Sequence, residues 1–403
     1  MSVQPKVGEM SGAQALIPVE IPAHDLVAQY ELIREEVTGA IQGVLASGEY
    51  ERGEELWSFE EEFARACGAA HGIGVGSGHA ALFIALRALG IGPGDEVITV
   101  ANTDISTCSA IGQCGARIVF ADVDEPTFNA DPAAVEAAVT PRTAAIVAVH
   151  LYGLPADVVR LGEIAARHGL ALVEDAALAF GSTVDGQPVG GLGRVGCFSF
   201  APHKILGAYG DGGMITTNDD QLARHARLLA GYGEPWRESM AGPDGRFAIL
   251  AEGYHTHLDL LQAAVLRVKL GHVEEWITER RAHAAQYDEL LADTAVLTPS
   301  VPPGWTHVYR SYVVRVRERD AVRAELARAG IETALLYVPP LHLQPVYDRL
   351  GYRPGSLPAT EAAVEELLCL PVYPELSESA VRRVAGELRQ AAERPRSTEG
   401  LAR

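Results

Sequence analysis

The chain is poor in positive charge: 33 lysines and arginines face 53 aspartates and glutamates, leaving a formal net charge of −20. Phosphate backbones are held by surplus cations, so this balance excludes nucleic acid as a general partner and favours solubility instead. Cysteine is scarce too. Cys67, Cys108, Cys114, Cys197 and Cys369 are an odd number with neither disulfide nor zinc spacing, and they read as buried free thiols. No apolar run approaches the ~18 residues a membrane span needs, and the opening MSVQPKVGEMSGAQ carries no apolar segment of signal-peptide type. The expected location is the cytoplasm, with no membrane partner. His203, His255, His257, His307 and His342 lack further ligands at metal-binding spacings, so no metal is expected. There is no internal repeat and no low-complexity segment.

What is present is an ordinary enzyme-like balance over 403 residues, 48% hydrophobic and 21% charged. The middle of the chain alternates strands (DEVITV, ARIVFADV, TAAIVAVHLYG, LALVED, VGCFSF, GGMITT) with helices such as PAAVEAAV and DVVRLGEIAARHG. That alternation predicts an α/β fold: a mostly parallel mixed sheet sandwiched by helices. From about residue 256 a long helical stretch hands over to a smaller α+β unit containing HVYRSYVVRV. The expected organisation is a disordered arm over 1–17, a large domain over 18–270, a small C-terminal domain over 271–392, and a frayed tail over 393–403.

Three motifs carry chemistry. In CFSFAPHKILGAYGDGGMITT two apolar strands flank a loop that opens with Lys204. A partly desolvated lysine loses its proton readily and can then act as a nucleophile; on the loop alone, a plain surface lysine is an equal reading. In GLALVEDAALAFGS a buried strand ends in Glu174 and Asp175, which points an acid into the crevice where open α/β sheets bind ligands, unless Asp175 merely caps a helix over Ala176–Ala179. Together the amine and the acid suit pyridoxal phosphate (PLP), one holding the aldehyde and the other keeping the pyridine nitrogen protonated. Finally, Gly76, Ser77, Gly78 and His79 precede a periodic helix from about Ala80 to Leu89, where free amides favour a phosphate. Such turns are also common for purely structural reasons.

These motifs, with IPVEIPAHDLVAQYELIREEV, FEEEFARACGAAHGIGVGSG, GYHTHLDLLQAAVLRVKL, LLYVPPLHLQPVY and ELLCLPVYPEL, resemble the DegT family of fold-type I PLP enzymes nearly end to end. The resemblance implies that Lys204 holds the cofactor and shuttles the proton, and that Asp175 pairs with the pyridine nitrogen. It implies that Ser199 and the amides of Ser77, Gly78 and His79 bind the phosphate. His255, where the family usually has asparagine, would reach that phosphate from a neighbouring subunit, implying a homodimer with shared active sites. His203, Arg310, Tyr337 and His342 would line the substrate pocket. Several positions depart from the family pattern: His79 for threonine or serine, Asp104 for a ring-stacking aromatic, Leu178 for glutamine, His255 and His257 for Asn-x-Arg, and Arg310 for histidine. An anionic sugar nucleotide would need local cations, for which Arg237, Arg246, Arg310 and Arg315 are candidates. The implied activity moves an amino group from an amino acid, glutamate or glutamine, to a keto sugar, nucleotide-linked, in a biosynthetic pathway. The departures keep two others in view: elimination, dehydration or cyclisation on the same cofactor, and a non-catalytic PLP-binding subunit.

Overall fold

The computed structural model describes residues 18–234 and 249–393. The N-terminal half runs α1 (Leu26–Ser47), α2 (Glu54–Ala66), β1 (His71–Val75), α3 (Gly78–Ala88), β2 (Glu96–Val100), α4 (Ile105–Gln113), β3 (Arg117–Ala121), α5 (Pro132–Ala137), β4 (Thr143–Val149), α6 (Val158–His168) and β5 (Ala171–Asp175). A small hairpin follows, β6 (Thr183–Val184) and β7 (Gln187–Pro188), then β8 (Val195–Ser199), β9 (Gly213–Thr217), α7 (Asp220–Ala230) and α8 (Leu260–Leu291). The last elements are β10 (Tyr312–Arg315), α9 (Arg319–Arg328), α10 (Pro358–Glu366), β11 (Leu367–Leu370) and α11 (Glu378–Glu393).

Seven strands form one sheet in the order β1-β9-β8-β5-β4-β2-β3. Only β9 runs against the rest, antiparallel to both β1 and β8. The expected mostly parallel sheet between helices is therefore the observed one. Its strands are near-continuous apolar runs because both faces are covered. One face packs on α3, α4 and α7 through Leu82, Ile84, Leu86, Ile111 and Leu222. The other packs on α5 and α6 through Val135, Leu161 and Ile164. Part of the acid excess serves the helices: Asp104, Asp131, Asp157 and Asp219 each cap the helix that follows by accepting a backbone N–H, as the Ser77 hydroxyl does for α3.

Aromatic side chains are few, yet five of the nine phenylalanines (Phe59, Phe63, Phe180, Phe198 and Phe200) meet behind β8. Phe63 stacks on Phe180 at 4.6 Å between ring centres and meets Phe198 and Phe200 edge-on at 4.9 and 5.2 Å. This wedge stiffens the strand that ends at the lysine loop.

A second core joins β10, β11, α9, α11 and the end of α8 around Tyr287, Tyr312 and Leu388. Ile21 belongs to it and bridges to Ile331, so the segment before α1 is tied to the C-terminal unit. Helix α8 passes unbroken through residue 270, and residue 393 still belongs to α11. One local expectation is corrected: α3 begins at Gly78, two residues before Ala80. Of the two readings left open after Asp175, a capped helix is not what forms, since the chain makes tight turns over 177–181. All five cysteines are buried and free. Among the described residues no helix is long and apolar enough to cross a membrane, and no group of His, Cys, Asp or Glu could hold a metal.

Candidate active site

The site is built at the carboxyl ends of β2, β4, β5 and β8. Lys204 sits in the loop after β8, which closes on itself: Phe200 N–H donates to Gly212 O, Ala208 N–H to Phe200 O, each at 2.8 Å, and Lys204 N–H to Ala201 O at 2.9 Å. Gly207 has no room for a Cβ against the carbonyl of Pro202. From α8, the buried Lys269 donates its ammonium to Gly207 O at 2.7 Å and lies over the Tyr209 ring at 4.6 Å. The loop is thereby clamped on both sides of Lys204. Lys204 itself is half-buried, and desolvation, reinforced by the Arg310 charge, brings its pKa down to about 8 against the opposing pull of Asp175 and Asp104.

Asp175 and Glu174 are adjacent at the end of β5 and point to opposite faces. Glu174 is fully buried and satisfied: it accepts from the amides of Gly190, Leu192 and Gly193 at 2.8, 2.9 and 2.6 Å, and from His150 Nε2 at 3.1 Å. Ala156 N–H donates to His150 Nδ1 at 2.9 Å, so the imidazole proton is on Nε2. Burial would raise Glu174, but the His150 bond and these amides hold it below its ordinary range. It fastens the 190–193 loop. Asp175 faces the pocket at 5% exposure, accepting from Thr107 Oγ1 at 2.7 Å and Ala177 N–H at 3.3 Å, with no cationic side chain paired to it among the described residues. Desolvation raises its pKa, and Thr107 and Lys204 only partly offset that. A buried carboxylate left in this condition is a socket for a cation.

The third corner is the start of α3. The Ser77 hydroxyl accepts from Ala80 N–H at 3.1 Å, and a Cβ on Gly78 would fall 2.5 Å from Ser199 Cβ, so the helix terminus is pressed against the end of β8. Its first amides and the Ser199 hydroxyl are the groups available there to hold an anion. The His79 side chain turns away from it: Nδ1 lies 3.2 Å from Ser106 O and Nε2 3.0 Å from Gln113 Oε1, tethering α3 to α4. Only the backbone of His79 is left for a phosphate. Amine, unpaired acid and amide cradle match the aldehyde, pyridine nitrogen and phosphate of PLP.

The remaining sequence candidates divide. Asp104 is exposed and caps α4, accepting from Ser106 N–H at 2.9 Å and Ser106 Oγ at 2.6 Å, while its charge still reaches Lys204. Leu178 is buried and apolar in the turn after β5. His203 stacks on His24 at 5.1 Å. Tyr337, held at φ 63°, stacks on Tyr152 at 6.1 Å, whose hydroxyl donates to Asn102 Oδ1 at 3.4 Å. His342 is 1% exposed, bonded to Glu361 at 3.1 Å and edged by Phe120 and Tyr352, so the structure gives it a packing role in place of the expected pocket position. Arg315 pairs with Glu366 at 2.9 Å and is likewise structural. Arg237 and Arg246 lie outside the described residues. His255 is exposed and stacked on Tyr232 at 5.1 Å, and among the described residues no interaction links it to Lys204. Sequence reasoning missed Thr107, His24, Asn102 and Lys269.

The model of the DegT/DnrJ/EryC1/StrS aminotransferase family matches residues 31–389. Among curated proteins, the "Pleiotropic regulatory protein" of Geobacillus stearothermophilus is 44% identical over 92% of this chain and 98% of its own length. The dTDP-3-amino-3,4,6-trideoxy-alpha-D-glucose transaminase of Streptomyces venezuelae is 42% identical over 93% of this chain and 97% of its own. The solved structure of S. venezuelae DesV in complex with a ketimine intermediate superposes with a TM-score of 0.89 at 42% identity, covering 94% of this chain and all of that one. On the motifs, the fold and these matches, the chain belongs to the DegT/DnrJ/EryC1/StrS aminotransferase family.

Proposed function

We propose that this protein is a PLP-dependent aminotransferase that moves an amino group from an amino acid, glutamate or glutamine, to a nucleotide-linked keto sugar in a biosynthetic pathway. The observation that carries the reading is the pairing of a half-buried lysine of lowered pKa with a buried acid that has no cation of its own. PLP supplies the electron sink that makes the bonds at the substrate nitrogen-bearing carbon labile. Asp175 binds the protonated pyridine nitrogen, and Thr107 orients it. Lys204 Nζ takes the proton from the donor's α-carbon and, in the second half-reaction, returns one to the sugar carbon that receives nitrogen. Ser199, Ser77 and the amides of Gly78 and His79 hold the phosphate. The sugar class is supported by the dTDP-amino sugar in the S. venezuelae relative's name.

The working unit in this reading is a cytoplasmic homodimer with shared sites, supported by the exposed His255, Tyr232 and Tyr254. A second reading rests on Leu178, an apolar side chain where the family pattern has a donor to the cofactor's ring oxygen; it keeps PLP but gives elimination, dehydration or cyclisation. One spectrum separates the two. Purified protein with added PLP should show a visible band that bleaches on adding glutamate, glutamine or alanine. A band that no amino acid bleaches would remove the transamination and leave the second reading. A non-catalytic subunit, suggested by the regulatory name of the Geobacillus relative, requires activity to survive Lys204→Ala.

A further inference from the structure

Arg310, two residues before β10, donates from Nη1 to Ser311 Oγ at 2.9 Å, its Nε is buried with no partner, and among the described residues no carboxylate pairs with it. Its charge acts on its neighbours: it helps burial to keep His24 and His203 neutral and to lower Lys204 and Arg280, while the Tyr337 and Cys369 beside it are themselves held neutral by burial, so none of these groups supplies an anion. Arg280 is different: it donates to the carbonyls of Val372 and Tyr309. A guanidinium stays charged when buried, and leaving one uncompensated is costly unless a ligand completes it. The phosphate cradle is formed by other elements, at α3 and Ser199. On the same wall, through Tyr337 and Tyr152, lies a second unsatisfied donor, the fully buried Nδ2 of Asn102.

We propose that Arg310 is a specificity-determining residue that receives a substrate carboxylate beside Lys204, resting on the aminotransferase reading above. The planar Nε–Nη fork suits a two-oxygen anion, and the α-carboxylate of an amino donor lies one bond from the carbon that Lys204 must deprotonate. A uronate group on the sugar would present the same chemistry.

The test compares the wild-type holoenzyme with Arg310→Gln and Arg310→Lys, using L-glutamate, the unreactive dicarboxylate maleate, UDP-N-acetylglucosamine and its 6-carboxylate counterpart. For a donor carboxylate, Arg310→Gln raises the glutamate concentration for half-maximal bleaching about 10- to 100-fold, more than it lowers the maximal rate, and weakens maleate alike. Arg310→Lys recovers part of the loss. For a uronate, only binding of the carboxylated sugar nucleotide falls. Unchanged binding of all four ligands in Arg310→Gln overturns the proposal. So does a visible band or PLP affinity altered before any substrate is added, since Arg310 would then serve the cofactor. Wild-type protein that binds maleate through Arg310 yet never bleaches with an amino acid would sink the aminotransferase reading and leave the carboxylate site standing.

Discussion

Burial moves Lys204 and Asp175 in opposite directions, the amine down and the acid up, because both are drawn toward their neutral forms. The sign for the amine sets a pH dependence. Capture of PLP needs the unprotonated Nζ, so the capture rate should climb with pH, bend near the value of about 8, and level off above it. Stopped-flow mixing of PLP with cofactor-free protein from pH 6 to 10 checks this; a bend above 10 would mean an ordinary solvated lysine. Lys204→Ala should cost about 10²–10⁴-fold in transamination. Thr107→Val keeps the shape but removes the 2.7 Å bond to Asp175, raising that acid further and weakening PLP about 10-fold or more. Equal PLP affinity in that variant would make the threonine a spectator. Lys204 and Asp175 were legible because one follows an apolar strand in its loop and the other ends an apolar strand, both local patterns. Thr107 was not, since its partner is 68 residues away.

At the scale of elements, two close approaches set the pocket. The start of α3 reaches β8 only because Gly78 has no side chain. Gly78→Ala should push the cradle from Ser199, weakening PLP more than the phosphate-free pyridoxal and destabilising the fold by about 1–3 kcal/mol. Equal losses for both ligands would count against a phosphate cradle. The second is α8 against the lysine loop. Lys269 has a folded pKa of about 8 and an unfolded value of 10.5, so the unfolded chain holds more protons between them, and stability should rise with pH across that window. Lys269→Met should flatten that part of the rise and strand Gly207 O, lowering stability by about 1–3 kcal/mol in denaturant titrations. The glycines of the α3 start could be read along the chain. Lys269 could not, because a lysine in an amphipathic helix is ordinarily solvated.

At the scale of the whole molecule, the proposed sharing of sites makes a prediction that single chains cannot meet. Homodimers of Lys204→Ala and of His255→Ala should each be impaired, and mixing them should restore part of the activity, because some mixed dimers hold one intact site. No recovery after verified subunit exchange would confine each site to one chain. The α/β class and the strands in their order of appearance followed from the sequence alone, as did the choice of Lys204, Asp175 and the Ser77–His79 turn as candidates, since apolar periodicity and strand-end residues are properties of neighbours in the chain. Tertiary structure alone decided the rest: that Glu174 is bonded to the 190–193 loop while Asp175 faces the pocket, that His79 ties two helices, that His342 packs against Glu361, and that Arg310 has no carboxylate partner among the described residues. Those outcomes depend on which distant side chains share a desolvated space, and a residue type does not carry that information.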